Sequence, residues 1–207
     1  MRGEVAAAGD EARAVLEAKH RAREFTLRAS RSAIRSCATA IRAVHRQEFE
    51  RARELIAEAA AFLAEADTAL GDHHDIRSAG YFVDAQKELA EANLALAFVG
   101  GDAIATADEL GIGVAPYLNG MAEAASELRR QALDCLRRGD VERAETLLAA
   151  MDEVYSMLVT VDYPDAITGG LRRTTDALRA VLERTRGDVT TAIVAARLQA
   201  AVERATD

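Results

Sequence analysis

The segment from Tyr81 to Phe98 reads YFVDAQKELAEANLALAF, and in it Glu88 and Glu91 stand one helical turn apart. Residues three and four apart on a helix share a face, so these two carboxylates project side by side. Glu123 and Glu127 do the same in MAEAASELRR. If the two helices pack together, four carboxylates converge on one cavity, where like charges raise one another's pKa unless a cation neutralises them. Carboxylate oxygens suit Mg2+ or Mn2+, and such a cation can activate water and stabilise charge building on a scissile phosphate. Spacing alone is weak evidence, because 34 acidic residues on long helices yield many such pairs as solvated faces. The neighbours argue for more: Ala85, Leu89, Ala92 and Leu94 flank the first pair, and Met121, Ala122, Ala124 and Ala125 flank Glu123, which is poor company for an outer face.

A second constellation is basic. The formal net charge of −8 argues against a nucleic-acid partner, yet the run RAREFTLRASRSAIRSCATAIRAVHR holds seven arginines against one acid, Glu24. Arg21, Arg28, Arg35, Arg42 and Arg46 step by seven, seven, seven and four, forming one helical stripe with Arg31 beside it and His45 at its end. Such a stripe can follow a sugar-phosphate backbone, and it can equally pair with acids of neighbouring helices or subunits. Few aromatics are present for base stacking, so binding would rest on the backbone rather than on base identity.

Other candidates carry less. Asp72, His73, His74 and Asp75 lie in GDHHD, which reads as a solvated loop rather than a metal site. Cys37 and Cys135 lack metal-like spacing and read as buried, reduced thiols. No P-loop, G-x-G-x-x-G or nucleophile triad is legible. The charged N-terminus is unlike a signal peptide and no apolar run reaches membrane length, so a cytoplasmic protein with no membrane partner is expected.

The elements that must position these residues are helices. Half of the residues are apolar, mostly Ala, Leu and Val, with no Trp and only two Pro, which favours an all-α chain. The pattern predicts a first helix from near Glu11 to His45, with residues 1–20 as a loosely attached extension, then Glu48 to Leu70 and Tyr81 to about Val99. A short helical turn is expected in DAIATADELG, a helix opened by Pro116, another capped by Asp140 and closed by Pro164, and a last third broken at Gly187 and Asp188. The 34-residue period of a helical solenoid does not recur. A compact bundle of about seven helices over residues 1–207, one domain, fits these lengths.

The blocks ASRSAIRSCATAIRAVHR, AQKELAEANLALAF, YLNGMAEAASELRR, MDEVYSMLVTVDYP and LRRTTDALRAVLERTRGDVT resemble, in order, those of the translin superfamily, which contains translin and translin-associated factor X. The likeness runs from about Arg21 onward. It implies a translin-like all-α fold and a hollow homo-oligomer, an octamer, that binds single-stranded RNA or single-stranded DNA. The chain is most similar to an archaeal-type homologue near the catalytic factor X branch, for which the resemblance implies a Mg2+-dependent endoribonuclease. Glu88 and Glu91 match the E-x-x-E of that branch, and Glu123 and Glu127 match its G-x-x-D-x-x-x-E, with Glu123 standing where the eukaryotic pattern has Asp. The resemblance thus implies Glu88, Glu91, Glu123 and Glu127 as catalytic metal ligands; Arg31, His45 and Arg46 fall where the family's first helix carries similar residues, which is consistent with the stripe of Arg21, Arg28, Arg35 and Arg42 as nucleic-acid contacts. A non-catalytic translin-type binder and a helical protein-binding scaffold are the competing expectations.

Overall fold

The computed structural model describes residues 2–206, and among them there are helices, turns and no strands. The order is α1 (Arg2–His45), α2 (Phe49–Leu70), α3 (His74–Arg77), α4 (Gly80–Gly100), α5 (Val114–Arg137), α6 (Val141–Leu158), α7 (Asp165–Thr168) and α8 (Leu171–Thr206). Six are long and two are single turns, which matches the expected all-α bundle.

Alanine sets how closely these helices approach. Ala33, Ala40 and Ala43 of α1 and Ala52, Ala59 and Ala66 of α2 are fully buried, so the two helices form a close hairpin with little side-chain volume between them. The hairpin bends at Gln47, which takes a positive φ of 61°. On the other flank α5 packs against α4, α6 and α8, around Leu94, Leu128, Leu147, Met151, Leu178 and Leu182. Helix α4 is central: it touches α1, α2 and α5, and from Leu89 to Ala97 it is buried at every position except Asn93.

Several boundaries differ from those expected. Residues 2–20 continue α1 without a break, and the single turn α3 begins at the end of GDHHD. The DAIATADELG segment forms turns rather than a helix: Thr106 N–H and its hydroxyl both donate to Glu109 Oε2, closing one loop on itself. Its start is tied to α2 by Arg53, whose Nε and Nη2 grip Asp102 at 3.0 and 2.8 Å. Helix α8 runs through Gly187, since Thr185 and Val189 on either side are buried in the packed face and hold the turn between them. Asp140 does cap α6, accepting from Arg143 N–H at 3.0 Å.

Candidate metal centre and nucleic-acid interface

Gly120 decides how near α4 and α5 come. A Cβ on Gly120 would lie 2.5 Å from Lys87 O, 2.6 Å from Ala90 Cβ and 3.0 Å from Glu91 N, so no larger residue fits. This approach brings the two acidic pairs face to face. One carboxylate oxygen from each of Glu88, Glu91 and Glu123 lies within 4.8 Å of the other two. Among the described residues no other trio of His, Cys, Asp or Glu ligand atoms gathers so closely, and GDHHD does not.

The trio is electrostatically frustrated. Glu91 is only 9% exposed. Burial first, then repulsion from Glu88, Glu123 and Glu127, pushes its pKa up to about 8. Burial also raises Glu88, against the pull of Lys87. Helix α1 closes the site on the apolar side with Cys37, fully buried, whose thiol is pushed up to about 12 by burial and then by Glu88 and Glu91. A thiol held protonated there is an inert wall. Its spacing had suggested the same.

Glu127 stands apart from the other three. Its Oε2 is 2.9 Å from His45 Nε2, and this hydrogen bond holds the carboxyl below its usual range despite partial burial. An ionised carboxylate only accepts, so Nε2 carries the proton. His45 therefore turns inward, 8% exposed at its side chain, and does not join the arginine stripe as expected. Residue 45 is the last of α1, which packs against α2 and α4, and its ring reaches across to Glu127 of α5.

Two residues at this site were not foreseen. Lys87 Nζ donates to Glu123 Oε1 at 2.9 Å. Burial opposes the ammonium, but the Glu123 bond and the fields of Glu123, Glu88 and Asp84 outweigh it and raise its pKa. Asn119 donates from Nδ2 to Ala115 O and Thr168 O at 2.9 and 2.8 Å and accepts from Thr174 Oγ1 at 2.7 Å, locking α5 to α7 and α8. The only sequence signal for Lys87 was that it is the one basic residue on α4. Asn119 carried none.

The arginines keep their expected exposure. Arg21, Arg28, Arg31, Arg35 and Arg42 are exposed on α1, and Arg46 is exposed in the turn that follows it. Arg46 is chelated by Glu48, and Arg21 lies 4.0 Å from Glu17. Among the described residues Arg28, Arg31, Arg35 and Arg42 form no ion pair, so pairing within the chain does not explain the stripe. Arg35 and Arg42 bond only to Ser32 and Thr39 on their own helix. A groove of about 720 Å³ lies at Arg21, Phe25, Arg28 and His73 and shares no lining residue with the acidic trio. No helix of the described residues is long and apolar enough to cross a membrane.

No family model matches the sequence. The uncharacterized protein MJ0175 of Methanocaldococcus jannaschii is 31% identical over 192 residues, covering 90% of this chain and 83% of that protein. The structure of AfC3PO in complex with duplex RNA superposes with a TM-score of 0.80 at 32% identity, over 90% of this chain and 96% of that one. The crystal structure of AfC3PO alone gives 0.76 at 33% identity, over 90% and 97%. Apo-NeC3PO, at 20% identity, shares the fold with a TM-score of 0.73 over 91% and 96% of the two chains. With near-complete coverage at this identity, and with the helical order and the acidic blocks in place, the chain belongs to the translin family.

Proposed function

We propose that this protein is a metal-dependent endoribonuclease of the factor X type, hydrolysing RNA phosphodiesters inside a hollow homo-oligomer. The observation that carries this reading is the convergence of Glu88, Glu91 and Glu123 oxygens within 4.8 Å, with Glu91 buried and pushed up to about 8. Three hard oxygen donors with excess negative charge fit Mg2+ or Mn2+. Bound there, the cation would supply Lewis-acid charge to a phosphoryl oxygen and lower the pKa of water. Glu88, Glu91 and Glu123 would hold it. Glu127, kept ionised by His45 and close enough to Glu91 to repel it, accepts the proton of the attacking water. Arg28, Arg31, Arg35 and Arg42 draw in and hold the strand through its phosphates, with Arg21 and Arg46 at the ends of the stripe.

Assembly is part of the proposal. Val194, Leu198 and Val202 form an exposed apolar stripe at spacings of four along the end of α8, and Val5, Val15 and Leu16 are exposed near the start of α1. These faces support self-association into the octamer that the family resemblance implies. Light scattering on the purified chain reads the subunit number directly, and a monomer at micromolar concentration removes the hollow assembly from the proposal.

A second reading has its own support. Lys87 already neutralises Glu123 and His45 already satisfies Glu127, so the acids can serve structure in a non-catalytic translin-type binder of RNA or single-stranded DNA. AfC3PO was solved with duplex RNA, so both strand forms belong in the assay. End-labelled single-stranded and duplex RNA are incubated with wild type and Glu123→Ala, with Mg2+ or EDTA. Cleavage that requires Mg2+ and is lost in the variant supports the enzyme; bound but intact RNA in every lane leaves the binder.

A further inference from the structure

Lys87 and Glu123 also line a small cavity of about 140 Å³, walled by Asn119 of α5 and by Arg173 and Thr174 of α8, with Asp84 at its rim. Gly169 and Gly170, at φ of 61° and 83°, make the turn that aims the first residues of α8 at this place. Arg173 is exposed and forms no ion pair among the described residues. The ammonium of Lys87 thus stands on a boundary: on one side three carboxylates, on the other a cavity lined by a second cation, Arg173, and by the carboxylate of Asp84.

We propose that Lys87 is the tethered counter-ion of the acidic trio and that, with Arg173, it forms a seat for a backbone phosphate of the RNA. The seat rests on the endoribonuclease reading and adds to it a substrate-binding pair outside both the trio and the arginine stripe. Lys87 Nζ occupies Glu123 Oε1, so a divalent cation taking that oxygen competes with the ammonium for it. With a divalent cation on the trio, the Nζ would be repelled and the flexible stem of Lys87 would carry it further into the cavity beside Arg173. There the two cations face Asp84, and a phosphate oxygen pair would add charge-assisted hydrogen bonds to both. Metal and RNA binding are therefore coupled through one side chain.

Lys87→Met keeps most of the buried stem and removes the charge; Lys87→Arg retains it; Arg173→Ala removes the second cation. Mn2+ binding is measured by calorimetry, and binding of a short single-stranded RNA by fluorescence anisotropy in Ca2+. In Lys87→Met the trio loses its competing cation, so Mn2+ affinity rises about fivefold, while RNA affinity falls about tenfold. Arg173→Ala leaves Mn2+ binding unchanged and weakens RNA by a similar factor, and Lys87→Arg stays near wild type in RNA binding. The opposed signs in Lys87→Met are the signature, because a merely structural lysine would weaken both. Loss of both, or wild-type RNA affinity in Arg173→Ala, overturns the proposal. Wild-type protein that binds no Mn2+ ends the metal-dependent reading and the counter-ion role with it, and the phosphate seat is then judged by the RNA measurements alone.

Discussion

His45 Nε2 lies 2.9 Å from Glu127 Oε2, so the last residue of the longest helix fixes a carboxylate at the edge of the acidic trio. Its other ring nitrogen is buried without a hydrogen-bond partner among the described residues, which leaves Glu127 as the group that orients the ring. Replacing His45 by Leu strands a half-buried carboxylate without its donor, at a cost of about 1–3 kcal/mol in unfolding free energy. His45→Gln restores an N–H and recovers most of that. If Glu127 takes the proton in cleavage, kcat falls in His45→Leu with KM little changed and returns in His45→Gln. A change in KM alone would place His45 at the RNA and not behind Glu127.

Glu91 makes the metal-free protein pH-dependent. Its folded pKa, about 8, lies above the ordinary 4.5 of an exposed glutamate, so the folded state holds a proton that the unfolded chain gives up. Stability is therefore fully present below about pH 4.5 as far as this group is concerned, and it is lost as pH rises toward and through 8. In EDTA, Tm falls between pH 5.5 and about 8.5, the raised Glu88 adding in the same direction, and Glu91→Gln flattens the slope. Mg2+ bound at Glu91 would displace the proton, so it is expected to stabilise more at high pH than at low. A pH-independent Tm shift with Mg2+ would remove Glu91 from the ligand set.

Gly120→Ala tests whether the two acidic helices need their close approach. The new Cβ meets backbone at Lys87 O, 2.5 Å away, and at Glu91 N, 3.0 Å away, neither of which is a flexible side-chain end. The expected loss is about 1–3 kcal/mol in denaturant unfolding. Because the helices must part, Mn2+ affinity falls as well. A variant of wild-type stability would mean that the contact relaxes freely.

The arginine stripe predicts a salt signature. Each arginine that contacts a phosphate contributes a slope of about −0.7 in log K against log salt for single strands. Arg28→Ala combined with Arg35→Ala lowers affinity at low salt and flattens the slope by about 1.4. Arg46→Ala has a smaller effect, because Glu48 already grips that guanidinium. Equal effects at Arg46 and Arg28 would move the RNA path off the middle of α1.

Glu88, Glu91 and Glu123 were legible in the sequence because helical spacing and apolar neighbours are local facts, and so was the arginine stripe, whose period needs only one helix. Most helix ends followed from caps and glycines for the same reason, Asp140 being the clearest. The misses were local sequences whose fate depends on distant partners. Gly187 reads as a break until Thr185 and Val189 are seen packed on either side of it, and DAIATADELG reads as helix until Arg53 anchors Asp102 and Thr106 turns back on Glu109. Spacing along the chain put His45 with the arginines, but its direction depends on what lies across from it, and that is Glu127, 82 residues away. Lys87, Asn119 and Arg173 share a cavity only because Gly120 lets α4 meet α5 and the Gly169–Gly170 turn points α8 at their junction. Charge and period are written residue by residue, so the sequence by itself determined the helices and the donor types. Which donors meet, and which of them a neighbour already neutralises, depends on contacts between helices, and only the tertiary structure decided that.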